Sequence, residues 1–87
     1  MTVSSVVSVD DSGATQLASG LGAIRLLNEA GGNVVYLGGS GVTVANGYPL
    51  NPSLSIDAPV DLVLSEKIYG ICDTGGSATI RVLKSGT

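Results

Sequence analysis

Few residues in this chain have types and spacings that could support chemistry. Asp73-Thr74-Gly75 spells the triplet of aspartic proteases, in which two such loops meet so that two carboxylates share a proton and activate water. Little chain follows it to build a flap, and Gly76 stands where those enzymes usually have a hydroxyl or an alanine. A turn capped by Asp73 is the expected reading. Gly38-Gly39-Ser40-Gly41-Val42-Thr43 has the glycine content of a phosphate loop, but it lacks the lysine and the following helix that would hold an anion. Asp10-Asp11-Ser12-Gly13 offers carboxylates to a calcium ion, which needs six or more oxygens, and no third carboxylate has an evident claim on the site. With no histidine and one cysteine, a zinc ligand set is excluded. Cys72 lies in an apolar run with Ile71 and Tyr69 and has no nearby His or Lys to activate it, so a structural thiol is expected. The sequence therefore predicts no catalytic residue, no cofactor and no metal. What remains is recognition. Tyr36, Tyr48 and Tyr69 could form a stacking platform for a sugar or a protein partner, with Tyr48 best presented between Asn46-Gly47 and Pro49.

Composition narrows the partners. The chain has 87 residues, a net charge of −3 and only 4 basic residues. These four, Arg25, Lys67, Arg81 and Lys84, are scattered. Nucleic-acid binding needs several cationic contacts on one face and is not expected. A basic amphipathic membrane helix and a spanning apolar run are both missing. The first residues lack the cationic and apolar regions of a secretory signal, so synthesis in a cytoplasm is expected. The aromatic share is 3% and glycine numbers 13. The core must be built from Val, Leu, Ile and Ala, which bury less area per residue than aromatic rings. Such a small, disulfide-free domain gains from association, so a homo-oligomer is expected.

The elements that must position these residues read as strands. Val3 to Val9 alternates, with Val7 and Val9 on one face and Val6 on the other, and Asp10 to Gly13 ends it. Thr15 to Ala18 follows. Ala23 to Asn28 sets Ile24 and Leu26 against Arg25 and Leu27; its flanking glycines leave it too short for a helix. Gly31-Gly32-Asn33 predicts a hairpin turn into Val34 to Leu37. Gly38 to Gly41 is a corner, Val42 to Val44 a short strand, and Asn46-Gly47 a turn. Pro49 and Pro52 keep the next segment out of a central strand position. Leu54 to Asp57, Asp61 to Glu66, Ile68 to Asp73 and Ala78 to Leu83 complete the set. In the last, Ala78, Ile80 and Val82 oppose Thr79, Arg81 and Leu83. Asp73 to Ser77 is read as a hairpin loop between the final two strands. About seven or eight short strands with turn signals every eight to twelve residues predict an all-β fold, a small antiparallel β-sandwich of jelly-roll type. Residues 1–87 form one domain, with 1–9 an arm or an edge strand and 85–87 frayed.

The ordered pattern VYLGGSGVT, NGYPL, IYGICDTGGSATIRVL, carried by Val35 to Thr43, Asn46 to Leu50, Ile68 to Ile71 and Ala78 to Leu83, resembles small β-sandwich proteins of tailed-bacteriophage heads. The resemblance implies a virion structural protein: a capsid decoration (cement) protein that binds the major capsid protein, commonly as a trimer, on the capsid surface. Binding only the assembled shell stabilises that shell by mass action. The second expectation is a receptor- or carbohydrate-binding module of a phage fibre. The candidate partner-binding residues are Val3, Val6, Val7 and Val9, acting as an arm that adds a strand to a neighbouring sheet, with Tyr36, Tyr48 and Pro49.

Overall fold

The computed structural model describes residues 3–19, 23–57 and 67–85, and among these described residues eight strands follow one another without a helix. They are β1 (Val3–Asp10), β2 (Thr15–Ser19), β3 (Ala23–Asn28), β4 (Val35–Gly38), β5 (Tyr48–Leu50), β6 (Ser55–Asp57), β7 (Lys67–Cys72) and β8 (Ser77–Ser85). They form two four-stranded antiparallel sheets, ordered β1-β8-β3-β6 and β2-β7-β4-β5. Each early strand pairs with its mirror in chain order: β1 with β8, β2 with β7, β3 with β6 and β4 with β5. The chain is thus one long hairpin rolled up until β3 also meets β8 and β4 also meets β7. That is a jelly roll. The tip of the rolled hairpin is the glycine-rich segment between β4 and β5.

Alternation places the core. Val9, Ile24, Leu26, Ala78, Ile80 and Val82 turn inward from one sheet, and Leu17, Ala18, Val35, Leu50 and Cys72 from the other. The neighbours Leu17 and Ala18 both point inward because a register shift between Gln16 and Ala18 inserts one residue into β2. Gly70 leaves space where a Cβ would lie 2.8 Å from Val35 Cγ1 and 3.1 Å from Leu17 Cδ1. Among the described residues the core is aliphatic apart from Cys72, with no aromatic ring buried in it.

Three local expectations are corrected. Val42 to Val44 is not a strand, because the tip uses its own polar groups. Val42 N–H donates to Gly39 O at 3.0 Å, Thr43 N–H to Asn46 Oδ1 at 2.7 Å, and Gly47 N–H to Thr43 O at 2.8 Å. Those N–H groups are not free to join a ladder. Gly31-Gly32-Asn33 does not close a hairpin, since β3 and β4 belong to different sheets. Glu29 and Asn33 N–H instead donate to Thr79 and Ser77 O on β8, at 3.0 and 2.9 Å, so the chain follows β8 before crossing over. Asp73 to Ser77 likewise crosses between sheets. Gly76 N–H donates to Asp73 O at 2.8 Å, and Gly75 takes φ +79°. Ser85 ends β8 opposite Ala23, while the expected strand Asp61 to Glu66 and residues 86–87 lie outside the described residues.

One buried polar side chain ties the layers together. Asn28, at the end of β3, is 0% exposed. Its Nδ2 donates to Asn33 O and to Leu50 O, each at 2.9 Å. Its main chain donates to Leu54 O and accepts from Ser53 N–H.

Candidate functional site

At one end of the sandwich the acidic loops meet, and they satisfy each other. Asp10 Oδ1 accepts from Ser12 N–H at 3.0 Å and from Ser12 Oγ–H at 2.6 Å. Those two bonds, the hydroxyl's first, hold the Asp10 carboxyl below its ordinary value. Asp11 Oδ2 accepts from Gly75 N–H at 2.7 Å, linking the β1–β2 and β7–β8 loops. Asp73 Oδ1 accepts from Thr74 N–H at 2.7 Å in an exposed turn. These carboxylates act as loop staples. Among the described residues no three His, Cys, Asp or Glu side chains converge as a metal would need. Cys72 is 1% exposed and its thiol lies 3.6 Å from Val9 O. Burial, and then the charges of Asp10 and Asp11, push that thiol above its ordinary value, which favours an inert SH. Gly39 and Gly41 of the phosphate-loop candidate border open space, at the hairpin tip.

The tyrosines do not form one platform. Tyr36 pairs with Pro49 on one side and Ile71 on the other, while Gly38 pairs with Tyr69. Tyr36, Pro49, Ile71 and Tyr69 therefore share the outer face of the β2-β7-β4-β5 sheet, with Tyr36 and Tyr69 diagonal neighbours. Tyr48 pairs with Leu37 and so has inner-face parity, at a strand end where it is 62% exposed. The expected grouping splits into a Tyr36–Pro49 pair and a separate Tyr48.

The residues of β1 also divide. Val9 belongs to the core at 1% exposed and Val7 packs against it. Their side chains point toward the second sheet, because odd positions of this strand face inward. The side chain of Val3 is outside the described residues. Val6 is 56% exposed on the outer face. Residues 3–10 pair with β8 along their whole length, so this segment is an edge strand of its own sheet rather than a free arm.

Around Val6 lies a surface that no expectation included. Leu83 and Leu27 are exposed on the same outer face, with Arg25 and Arg81 between them. The register explains the pattern. Ile24-Arg25-Leu26-Leu27 and Ile80-Arg81-Val82-Leu83 are near-copies that run antiparallel, so Arg25 faces Leu83 and Leu27 faces Arg81. Val6 extends the row beside Arg81, and Ser4 stands beside Leu83. A shallow depression of about 290 Å³ runs over these side chains. Arg81 Nε also donates to Glu29 Oε2 at 2.6 Å, an exposed pair that orients the guanidinium more than it stabilises the fold. The signal was present in the sequence as the repeated Ile-Arg-apolar-Leu. Read strand by strand, each copy looked like ordinary alternation. Side by side, the two place apolar and cationic groups in a checkerboard on a chain whose net charge is negative. Exposed apolar groups gathered on one face mark interaction sites, and arginine is enriched at protein interfaces.

Among the described residues no helix is long and apolar enough to cross a membrane. No protein-family model matches the chain, and no curated protein matches it significantly in sequence.

Proposed function

We propose that this protein is a non-catalytic binding module: a capsid decoration protein that attaches to the major capsid protein of an assembled phage head and stabilises it as an oligomer. The observation that carries the reading is the outer face of the β1-β8-β3-β6 sheet. There Val6, Leu27 and Leu83 stand exposed around Arg25 and Arg81, while the candidate catalytic loops are occupied by their own hydrogen bonds. The jelly-roll order supports it, since that architecture recurs in capsid and lectin domains, although a fold alone does not name a function. The motif resemblance to phage head proteins supplies the virion location and the capsid partner. Mass spectrometry of purified phage particles from cells carrying this gene tests the proposal. The protein is expected in stoichiometric amounts in full heads; its absence from particles overturns the reading.

A carbohydrate- or receptor-binding fibre module is the second reading. Tyr36, Tyr69 and Pro49 on the opposite outer face favour it, because aromatic faces stack on sugar rings. Saturable glycan binding abolished by Tyr36→Ala, without any capsid association, would select it.

A further inference from the structure

A sheet edge offers unpaired N–H and C=O groups to any extended strand, and proteins blunt such edges with short strands, proline, bulges or charge. Three edges here are blunted. β5 has 3 residues centred on Pro49, β6 pairs over 3 of the described residues, and β2 is broken by its register shift. β1 is not blunted. Its 8 residues, VSSVVSVD, carry no proline and no charge before Asp10, and it pairs with β8 without a shift. Among the described residues no other strand pairs with it.

Alternation identifies which groups face outward. Ser77 and Thr79 O accept bonds from the chain that continues β3, so odd residues of β8 address β3 and even ones address β1. The even residues Ala78, Ile80 and Val82 sit opposite Val9, Val7 and Ser5. The main-chain groups of Ser4, Val6 and Ser8 therefore face the open edge, and all three residues are exposed.

The geometry points to a second copy of this chain as the strand that covers β1, paired antiparallel about a two-fold axis through Val6. Three observations favour this occupant and this register. With Val6 on Val6 and Ser4 opposite Ser8, the outward main-chain groups meet as hydrogen-bonded pairs, giving about six N–H···O bonds. The outer faces also stay on one side, so the row Leu27-Arg81-Val6 continues directly into its copy. Centring on Val7 would set Val6 against Ser8 and break that row. Finally, the antiparallel arrangement holds the two Asp10 carboxylates about 26 Å apart, well beyond the screening length of about 10 Å, whereas parallel pairing in register would leave them about 5 Å apart.

The resemblance to head proteins implies three copies. A ring would need a second, different edge to receive β1, and the other edges are blunted; an edge that pairs with itself closes as two. The edge is about 26 Å long and one strand wide, less than the ~800 Å² per partner of a stable interface. The pairing is accordingly reversible and concentration-dependent.

The test uses the purified chain alone, so its outcome is independent of capsid binding. Sedimentation equilibrium up to millimolar protein should give a monomer–dimer equilibrium, and Val6→Lys should weaken it about threefold to fivefold by placing like charges opposite each other. Oxidised Val6→Cys should yield a disulfide dimer. Ser4→Cys should not, because the two Ser4 positions lie about 13 Å apart in this register, outside disulfide reach. The wild-type chain, with Cys72 buried, is the control, and circular dichroism verifies that each variant is folded. A monomer at every concentration, a trimer, an unaffected Val6→Lys, or cross-linking through Ser4→Cys as readily as through Val6→Cys would overturn the proposal.

Discussion

Replacing Asn28 by alanine should be among the most damaging single polar deletions in the molecule. The side-chain amide is fully buried and donates to Asn33 O and Leu50 O at 2.9 Å each. It thereby fastens the end of β3 to the start of the β4 segment and to the end of β5, in the opposite sheet. Two carbonyl acceptors fix which way the amide points, since only the NH₂ end can serve both. Alanine removes both bonds, at about 1 kcal/mol each, and leaves the Leu50 carbonyl buried without this donor, at about 1–3 kcal/mol more. Asn28 Oδ1 has no partner among the described residues, so its removal returns part of that cost. The net expectation is a loss of about 2–4 kcal/mol, which for a domain of this size lowers Tm by about 10–25 °C. Urea denaturation followed by circular dichroism measures it. Asn28→Asp keeps the volume but turns a donor into a carboxylate facing two carbonyls. Its folded-state pKa must rise, so that variant loses further stability as pH climbs above about 4, the unfolded carboxyl value. A loss below about 1 kcal/mol for alanine, with an unchanged m-value, would refute the claim that Asn28 couples the sheets.

Other outcomes follow from the loops and the thiol. A Cβ on Gly47 would lie 2.5 Å from Tyr36 Cβ and 2.9 Å from Thr43 O, whereas one on Gly41 meets nothing within 4 Å. Gly47→Ala should therefore cost about 1–3 kcal/mol and Gly41→Ala almost nothing, as thermal melts of the two will show. The hydroxyl and N–H of Ser12 lower the Asp10 pKa, so their contribution is present above about pH 4 and disappears as pH falls through the depressed folded value. Ser12→Ala should then lie below the wild type in a pH–stability profile near neutrality and converge with it in strong acid. For Cys72 the folded pKa is raised from 9.0. Stability should be complete below that value and decline as pH rises through the folded one, and a thiol reagent at pH 8 should label the chain only after denaturant is added.

The alternation of Ala23 to Asn28 and Ala78 to Leu83 sorts their side chains onto two faces, and in β3 and β8 the face carrying Ile24, Leu26, Ala78, Ile80 and Val82 enters the core. Local patterning has a period of two and is written residue by residue, so it survives translation into structure. Sheet membership is not local. Gly31-Gly32-Asn33 and Asp73 to Ser77 have the chemistry of hairpin turns, yet both cross between sheets, because N–H groups at Glu29 and Asn33 find acceptors on β8 rather than on β4. Val42 is expected in a short strand running to Val44. It instead plugs the hairpin tip against Gly38, where a Cβ would approach Val42 Cγ2 to 2.8 Å. The candidate surface was legible only in part. Alternation sets Val6 opposite Val7 and Val9, but Leu27 and Leu83 join it only through the register of three strands, which no single segment encodes. Tyr48 parted from Tyr36 for the same reason, its parity being set by pairing with Leu37.

The central claim is that the outer face of the β1-β8-β3-β6 sheet binds an assembled shell. Co-sedimentation of the purified protein with phage heads lacking it tests this most directly, comparing wild type with Leu83→Asp and Arg25→Glu. Both positions are exposed, and circular dichroism verifies that each variant is folded. The account predicts saturable binding by the wild type and a loss of about tenfold or more in affinity for each variant. Binding that is unchanged by both substitutions, or no binding by the folded wild type, would contradict it.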